Sequence, residues 1–321
     1  MRARVLGGLF LLLLPTLAHG RLSIPFPLRA ASEGQAQDGV VALRPPARGN
    51  VLLAGTFAMG STALELSRAM ALCQREPLGD AVLDIRGDRI RTCDVKEFED
   101  EMPIHQVTLS PYYLDRTEVR VVDYDQCVAA GACAPPAFTR GDGHFDRPEF
   151  PVTHVAFEEA EAYCAWRRAR LPTEAEWEFA SRGASGRTFP WGNLYNPHLA
   201  NHGSLANDES DGTDGFIGLA PVGSFPEGST PTGIYDLAGN VTEWVADRLS
   251  AVFAKGGFDP TPERYPTTPQ VNPTSRGGPY RVVRGGSYLE ASYTLRGASR
   301  RAILSNPVRA AWIGFRCAED R

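Results

Sequence analysis

The part of the chain that most restricts its fold runs from Gly183 to Gly239. This stretch is rich in Gly, Asn, Asp and Pro and contains no long periodic element. The whole chain has 32 glycines and 25 prolines, whereas average usage predicts roughly 38 such residues for this length. A fold made mainly of long helices is therefore excluded. Because an irregular stretch inside a compact domain needs support beyond periodic packing, bound metal ions are expected there.

The charge balance argues against a nucleic-acid partner. The chain has 33 Lys and Arg against 38 Asp and Glu, a formal net charge of −5, so it lacks the basic surplus that nucleic acids attract. Its 43% apolar and 22% charged residues are typical of a globular protein and not of a disordered chain or a polytopic membrane protein.

The N-terminal segment has the features of a secretory signal peptide. Arg2 and Arg4 precede an apolar run over residues 5–14, and small residues precede a cleavage site after Gly20. A membrane anchor is the alternative, but the run is shorter than the roughly 20 residues that span a bilayer. We therefore predict export, with no membrane attachment after cleavage.

Three parts are expected along the chain. Residues 1–20 form the signal peptide, residues 21–48 form a flexible leader rich in Ala, Pro, Arg and Gly, and residues 49–321 form one domain. The sequence does not identify which compartment outside the cytoplasm receives the protein. Export makes disulfides possible.

Six cysteines follow the cleavage site: Cys73, Cys93, Cys127, Cys133, Cys164 and Cys317. No spacing fits a zinc site, and an even number in an exported chain favours three disulfides over metal or redox chemistry. Six cysteines allow fifteen pairings. We expect Cys127 to close a local loop with Cys133, and Cys73 to pair with Cys93 within one polar insertion over residues 61–99. These two pairs leave Cys164 to pair with Cys317. Buried free thiols are the alternative.

Local patterns predict two strand regions and two helices. Residues 51–60 are interpreted as a strand, a turn and a second strand, and alternation from His105 continues to Val119. One helix has a buried stripe made of Ala160, Tyr163, Cys164 and Arg167. A second begins at the capping box formed by Thr173 and Glu176.

Common catalytic signatures are absent from the sequence. It contains no phosphate-binding loop, dinucleotide fingerprint, H-E-x-x-H or G-x-S-x-G motif. The segment 207–212 resembles the start of a calcium loop, but Gly218 stands where an EF-hand needs Glu. The sequence at 240–242 matches a glycosylation sequon, but Asn240 is expected to have a structural role and not to carry a glycan.

Ten blocks of sequence together resemble the formylglycine-generating enzyme (sulfatase-modifying factor) family. The most specific are L-P-T-E-A-E-W-E at 171–178, G-N-V-x-E-W at 239–244 and R-G-G-S at 284–287, followed by G-F-R-C at 314–317. The resemblance implies a single α+β domain with a variant C-type-lectin-like fold, rich in loops. The family includes copper-dependent oxidases, iron enzymes and non-catalytic binding domains, so membership alone does not define function.

The resemblance locates the family's active site at Thr242, Ser287, Glu290 and Leu295. In formylglycine-generating enzymes, two cysteines after the Gly-Gly-Ser block bind copper(I), a soft ion that prefers thiolates. Glu290 and Leu295 occupy those positions here, and Thr242 replaces the usual aromatic residue. The resemblance therefore implies that copper is not bound.

The resemblance also implies two calcium sites. The first would use Asn201, the His202 carbonyl, Asp214 and the Phe216 carbonyl, and the second would use Asp236, the carbonyls of Gly239 and Val241, and Glu243. Hydrogen-bonded loop caps are the alternative. A family disulfide supports the pairing of Cys164 with Cys317, whereas a second one is lost at Ser181 and Arg300.

Five arginines are interpreted from their positions. Arg284 and Arg316 are expected to pair with the carboxylates of Glu174, Glu176 and Glu178, whereas Arg296, Arg300 and Arg301 flank the former active site and could receive an anionic ligand.

Three functional hypotheses follow. The first is an exported, calcium-stabilised binding or accessory domain without copper oxidase activity, with an unknown protein or small molecule in its cleft. The second is an oxidoreductase of the same superfamily whose altered site centres on Glu290. The third is formylglycine generation by an unrecognised route.

Overall fold

The computed structural model describes residues 50–76, 93, 95–204, 212–250, 252–253, 260–261, 264–304 and 308–321. The predicted signal peptide and leader, and most of the segment resembling a calcium loop, lie outside these residues.

Four α-helices and ten strands are present in the described part of the chain. The helices are α1 (Ala63–Arg75), α2 (Val121–Ala129), α3 (Phe157–Trp166) and α4 (Glu174–Arg182). The strands are β1 (Val51–Met59), β2 (His105–Leu114), β3 (Thr242–Leu249), β4 (Val252–Phe253), β5 (Pro260–Thr261), β6 (Gln270–Val271), β7 (Tyr280–Arg284), β8 (Arg300–Leu304), β9 (Ile313–Gly314) and β10 (Ala318–Asp320).

The strands form two four-stranded mixed sheets and one short hairpin. In the first sheet, β2 pairs antiparallel with β1 and β10 and parallel with β6. In the second, the order is β8-β7-β3-β9, with β9 parallel to β3. Strands β4 and β5 form the hairpin. The predicted α+β, loop-rich fold is confirmed.

The first predicted strand differs from its interpretation. Residues 51–59 form one strand with an irregularity at Gly55, not two strands with a turn between them. Gly55 has a φ of +152°, and a Cβ atom there would lie 2.9 Å from the ring of Phe179. The glycine is thus needed for close packing against α4 and not for a turn.

Both predicted helices are confirmed. In α3, Ala160, Tyr163 and Cys164 are buried as predicted. The fourth residue of the predicted stripe, Arg167, instead caps the end of the helix, is only partly buried and pairs with Asp115. In α4, the Thr173 hydroxyl accepts a hydrogen bond from the Glu176 amide, and the Glu176 carboxylate accepts one from the Thr173 amide.

The polar insertion over residues 61–99 contains a helix that the sequence analysis did not identify. Helix α1 begins with a capping box in which Thr62 and Glu65 exchange bonds. Its buried face packs against Ala291 and Tyr293. Tyr293 lies within a 3₁₀ turn over Ser292–Leu295, and Ala291 directly precedes this turn. Leu72 packs against the cluster that contains Leu295.

Three disulfides have the predicted pairing: Cys73 with Cys93, Cys127 with Cys133, and Cys164 with Cys317. The last joins α3 to the segment before β10, across a separation of 153 residues. Both of its cysteines are buried in a hydrophobic cluster with Tyr163, Trp244 and Phe315. A second large cluster surrounds Trp177 between α4 and the first sheet.

Across the described ranges, no helix is both long and apolar enough to cross a bilayer.

Candidate functional site

The Glu290 site consists of Thr242, Ser287, Glu290 and Arg301. Thr242 begins β3, and its hydroxyl donates a 3.0 Å hydrogen bond to Oε2 of Glu290. The other carboxylate oxygen forms an ion pair with Arg301 on β8. Ser287 is fully buried, and its carbonyl accepts the backbone N–H of Glu290. The structure therefore brings three of the four predicted active-site residues together through direct contacts.

The glycines before Ser287 allow this chain segment to pack tightly. Gly286 has a φ of +70°, and a Cβ atom there would lie 2.6 Å from the Thr294 hydroxyl and 3.0 Å from Leu295. Only glycine avoids both the steric conflict and the strain of positive φ.

Leu295, at the other position that holds a cysteine in the copper enzymes, is completely buried. It packs with Phe189, Ala200 and Ala238. An aliphatic side chain in this environment offers no metal ligand, and all six cysteines of the chain are in disulfides. The chain thus has no free thiolate for copper(I) in the paired state seen here.

Arg301 is the part of the Glu290 site that reaches solvent. Its side chain is 45% exposed, whereas that of Glu290 is 9% exposed. The guanidinium carbon lies 5.6 Å from the ring centre of half-buried Trp312. The site therefore presents a cation on an aromatic surface, with its counter-charge buried behind it.

The other two arginines predicted to flank the site face inward, which corrects the expectation of an anion-binding group of three. Arg296 donates two hydrogen bonds to Glu101, and Arg300 donates two to Glu174. Both arginines are buried. Their charges are neutralised inside the protein, so only Arg301 can meet a ligand directly.

A buried ion-pair cluster, made of Glu174, Glu178, Arg182, Arg284 and Arg300, fills the space beneath α4. Arg284 bonds Glu174 at 3.2 Å and Glu178 at 2.6 Å, as predicted. The adjacent arginines hold the pKa of Glu178 below its usual range, against the effect of burial.

The predicted partner of Arg316 is wrong, because this arginine pairs with Glu243. Its guanidinium donates to both oxygens of that carboxylate, and Trp177 adds a third bond. Glu176 in turn is held by Arg170. The α4 carboxylates were predicted because they and Arg316 lie in sequence blocks of the family. The parallel pairing of β9 with β3 instead brings the segment after β9 to Glu243.

The residues of the first predicted calcium site lie together. Asp214 accepts the amide hydrogens of His202 at 2.7 Å and Phe216 at 2.9 Å. The Asn201 side-chain nitrogen donates to the Gly218 carbonyl, so its oxygen faces away from that bond. One carboxylate, one amide oxygen and two nearby carbonyls form a donor set suited to a hard cation.

The second predicted site contains an additional carboxylate that the sequence analysis missed. Glu118 is buried beside Asp236, and its Oε2 has no hydrogen-bond partner. Burial raises the pKa values of Glu118, Asp236 and Glu243, and the Asp236 charge raises that of Glu118 further. Within the described residues, Arg316 pairs with Glu243, whereas Glu118 and Asp236 form no ion pair. These two carboxylates would therefore suit a divalent cation if carbonyl oxygens complete the set.

The sequence did not indicate that Glu118 lies beside Asp236. It lies more than 100 residues before Asp236 in the sequence. No cluster of three His, Cys, Asp or Glu side chains is arranged to hold a metal in the described ranges. Each predicted calcium set would therefore need carbonyl and amide oxygens as well as carboxylates.

A family profile identifies the family to which the chain belongs. The profile described as "Sulfatase-modifying factor enzyme 1-like domain" matches residues 46–321. The chain belongs to this family.

Relatives include proteins named as inactive forms and proteins named formylglycine-generating enzyme. "Inactive C-alpha-formylglycine-generating enzyme 2" of Bos taurus is 47% identical over 35% of this chain and 37% of its own length. "Formylglycine-generating enzyme" of Thermomonospora curvata is 40% identical over 56% of this chain and 59% of its own length. The murine "Formylglycine-generating enzyme" is 28% identical over 90% of both chains. The first four relatives are matched over only 37% to 59% of their lengths.

A solved structure supports the fold. "Structure of PvdO from Pseudomonas aeruginosa" is similar with a TM-score of 0.58 and 26% identity, over 85% of this chain and 94% of that chain.

Proposed function

We propose that this protein is an exported, calcium-stabilised binding or accessory domain that does not use copper to generate formylglycine. The observation that carries the proposal is the pair Glu290 and Leu295 at the positions of the family's copper ligands. Copper(I) prefers thiolates, whereas these positions supply a carboxylate already bonded by Thr242 and Arg301 and a buried alkyl group.

Similarity to proteins named inactive formylglycine-generating enzyme 2 supports this proposal. Proteins named formylglycine-generating enzyme are also similar, so the names do not decide whether this chain has the activity. The decision rests on the residues at the site.

Calcium would be held by Asn201, Asp214 and neighbouring carbonyls in the first site, and by Glu118, Asp236 and neighbouring carbonyls in the second. Glu243 would stay oriented by Arg316 and Trp177. Bound calcium would supply positive charge where the protein has a surplus of buried carboxylates. Export is supported by three disulfides, which form readily outside the reducing cytoplasm.

A second candidate function is an oxidoreductase with a site altered around Glu290. The observation that favours it is the half-exposed Arg301 beside Trp312, with Glu290 behind it. This arrangement could bind an anionic or aromatic substrate and hold it against a carboxylate.

A copper(I) competition titration tests the primary proposal. The wild-type protein is expected to show no tight stoichiometric copper(I) binding, whereas the double variant Glu290→Cys with Leu295→Cys supplies two thiolates. Because Leu295 is buried, circular dichroism first establishes that the double variant folds. Tight one-to-one copper binding by the wild-type protein would contradict the proposal whatever the variant does.

The two candidate functions differ in whether a bound compound is turned over. A screen of anionic aromatic compounds, followed by Arg301→Ala, locates binding at the Glu290 site, and oxygen consumption is then measured with each bound compound. Consumption that is lost with Glu290→Gln favours the oxidoreductase.

A further inference from the structure

A separate cavity of about 240 Å³ lies on the other side of β8 from the Glu290 site. It opens beside the first turn of α4, and Arg300 lines it, whereas the next residue, Arg301, contacts Glu290. Its apolar walls include Met59, Leu249, Pro266 and Pro273. At roughly 30 Å³ for a water-sized group, the cavity has room for a ligand of about eight heavy atoms.

One carboxylate in the cavity wall has no cationic partner. Asp247 is 5% exposed, and its two oxygens accept backbone N–H groups of Glu174 at 2.7 Å and Ser275 at 2.6 Å. No Lys, Arg or His lies within ion-pair distance of it in the part of the chain that the structure describes. Burial, with the neighbouring charge of Glu174, raises the pKa of Asp247 to about 7.

The cationic residues near the cavity are already neutralised. Arg300 donates to both oxygens of Glu174 and stacks 4.2 Å from the ring centre of Tyr265. Arg264, largely exposed, pairs with Glu99. An anionic ligand would therefore be repelled by the negative charge of Asp247. The described residues that line the cavity offer no unpaired cation to bind such a ligand.

His105 provides a second, independent sign of a ligand. Its side chain is more than nine-tenths buried and lines the cavity, 5.0 Å from the ring of Tyr265. Its Nδ1 lies 3.4 Å from the Pro103 carbonyl, and its Nε2 has no bond to any described residue. Burial lowers the pKa of His105, so the ring is neutral near pH 7. With the Nδ1 proton directed at Pro103, Nε2 is an acceptor.

We propose that this cavity binds a protonated alkylamine, with the ammonium group between Asp247 and His105 and the alkyl chain on the apolar wall. Both side chains can accept hydrogen bonds from an ammonium group, and the ionised carboxylate of Asp247 supplies the opposite charge. The cavity's size restricts the ligand to a small amine or to the side chain of a lysine. This inference is independent of the function proposed for the Glu290 site.

Binding is expected to strengthen as the pH rises from 6 to 8. The ammonium group prefers an ionised Asp247, whose pKa of about 7 gives about a tenfold increase in the ionised fraction over that range. The other charged groups facing Asp247 are Glu174 and Arg300, which neutralise each other, and His105 stays neutral.

Calorimetric titration of the full chain with n-butylammonium chloride tests the proposal. Butanol and butyrate serve as neutral and anionic ligands of the same shape, and Nα-acetyl-lysine methylamide represents a lysine side chain. Two variants act on the site: Asp247→Asn removes the charge, and Gln270→Trp adds a large ring at a partly buried residue that lines the cavity and belongs to none of the buried ion pairs. Asp125→Asn, at an exposed carboxylate on α2, is the matched control.

The expected result is saturable binding of butylammonium, about tenfold weaker at pH 6 than at pH 8 and at least tenfold weaker in both site variants, with no change in the control. Tighter binding of the lysine derivative would identify a peptide as the source of the amine. Absence of saturable binding, equal binding of butyrate, or unchanged binding by Gln270→Trp would each overturn the proposal. If Asp247→Asn does not fold, Gln270→Trp alone decides.

Discussion

Adjacent residues on β8 face two regions that serve different purposes. Arg300 enters the buried ion-pair cluster, where both of its bonds to Glu174 are shorter than 3 Å and the side chain is 2% exposed. Arg301 enters the Glu290 site and is 45% exposed. Side chains alternate across a strand, so one residue step separates the two.

The difference shows which family features this chain keeps. The buried cluster joins α4 to β7 through Glu174, Glu178 and Arg284, which lie in the most specific sequence blocks. Its contact to β8 is made by Arg300, at a position where the resemblance places a lost family disulfide. Each charge in the cluster has a partner. The Glu290 site retains the glycine-dependent backbone around Ser287 but holds different side chains at the positions of the copper ligands. Scaffold and chemistry have therefore changed separately.

The largest expected effect comes from removing a cation from the buried cluster. Arg284→Leu leaves Glu174 and Glu178 without one of their arginines, and we expect a loss of about 3 to 5 kcal/mol in the free energy of unfolding. Arg301→Leu should cost only about 1 to 2 kcal/mol, because Glu290 keeps its bond from Thr242. Urea unfolding of both variants measures the contrast. Equal losses would mean that the two regions do not differ in structural weight.

Calcium should stabilise the scaffold through residues outside both regions. At free calcium near 100 times its dissociation constant, we expect about 2 to 3 kcal/mol of added stability, which EGTA removes. Asp214→Asn should reduce this gain, whereas Asp125→Asn should preserve it. A melting temperature unaffected by EGTA, with no heat in a calcium titration, would leave the loop-cap alternative in place.

The pH dependence of stability should also come mainly from the cluster's side of β8. Burial raises the pKa values of Asp100 and Asp247 to about 7 from an ordinary value of 3.8. The unfolded chain loses these protons first, so each group favours folding at low pH and its contribution is lost between about pH 4 and pH 7. Asp247→Asn should therefore remove a decline of about 1 kcal/mol per pH unit in that window. Urea unfolding at a series of pH values measures this slope, and an unchanged slope would show that Asp247 ionises normally.

Local sequence rules predicted the elements that local interactions determine. The capping box at Thr173 and the buried stripe of α3 depend on residues three or four positions apart, so both were predictable. The capping box at Thr62 carried the same signal for α1 and was not used. Gly55 was misread because its requirement comes from Phe179, which lies far away in the sequence.

The site was predictable where a sequence block fixed the position and not where tertiary contacts decided it. Thr242 and Glu290 were identified from motif positions and lie in contact. The partners of Arg296, Arg300 and Arg316, and the burial of Glu118 beside Asp236, depend on strand pairing and on charges brought together from distant segments. Neither the composition nor the residue spacing of the sequence identifies these tertiary contacts.

A direct assay tests whether the Glu290 site catalyses copper-dependent oxidation. A cysteine-containing sulfatase peptide is incubated with oxygen, a reductant, copper and the wild-type protein, and mass spectrometry measures conversion of cysteine to formylglycine. The enzyme of Thermomonospora curvata serves as the positive control. We expect no aldehyde above the copper-only background, because Glu290 and Leu295 provide no thiolate. Aldehyde formed by the wild-type protein in a copper-dependent manner would contradict this expectation.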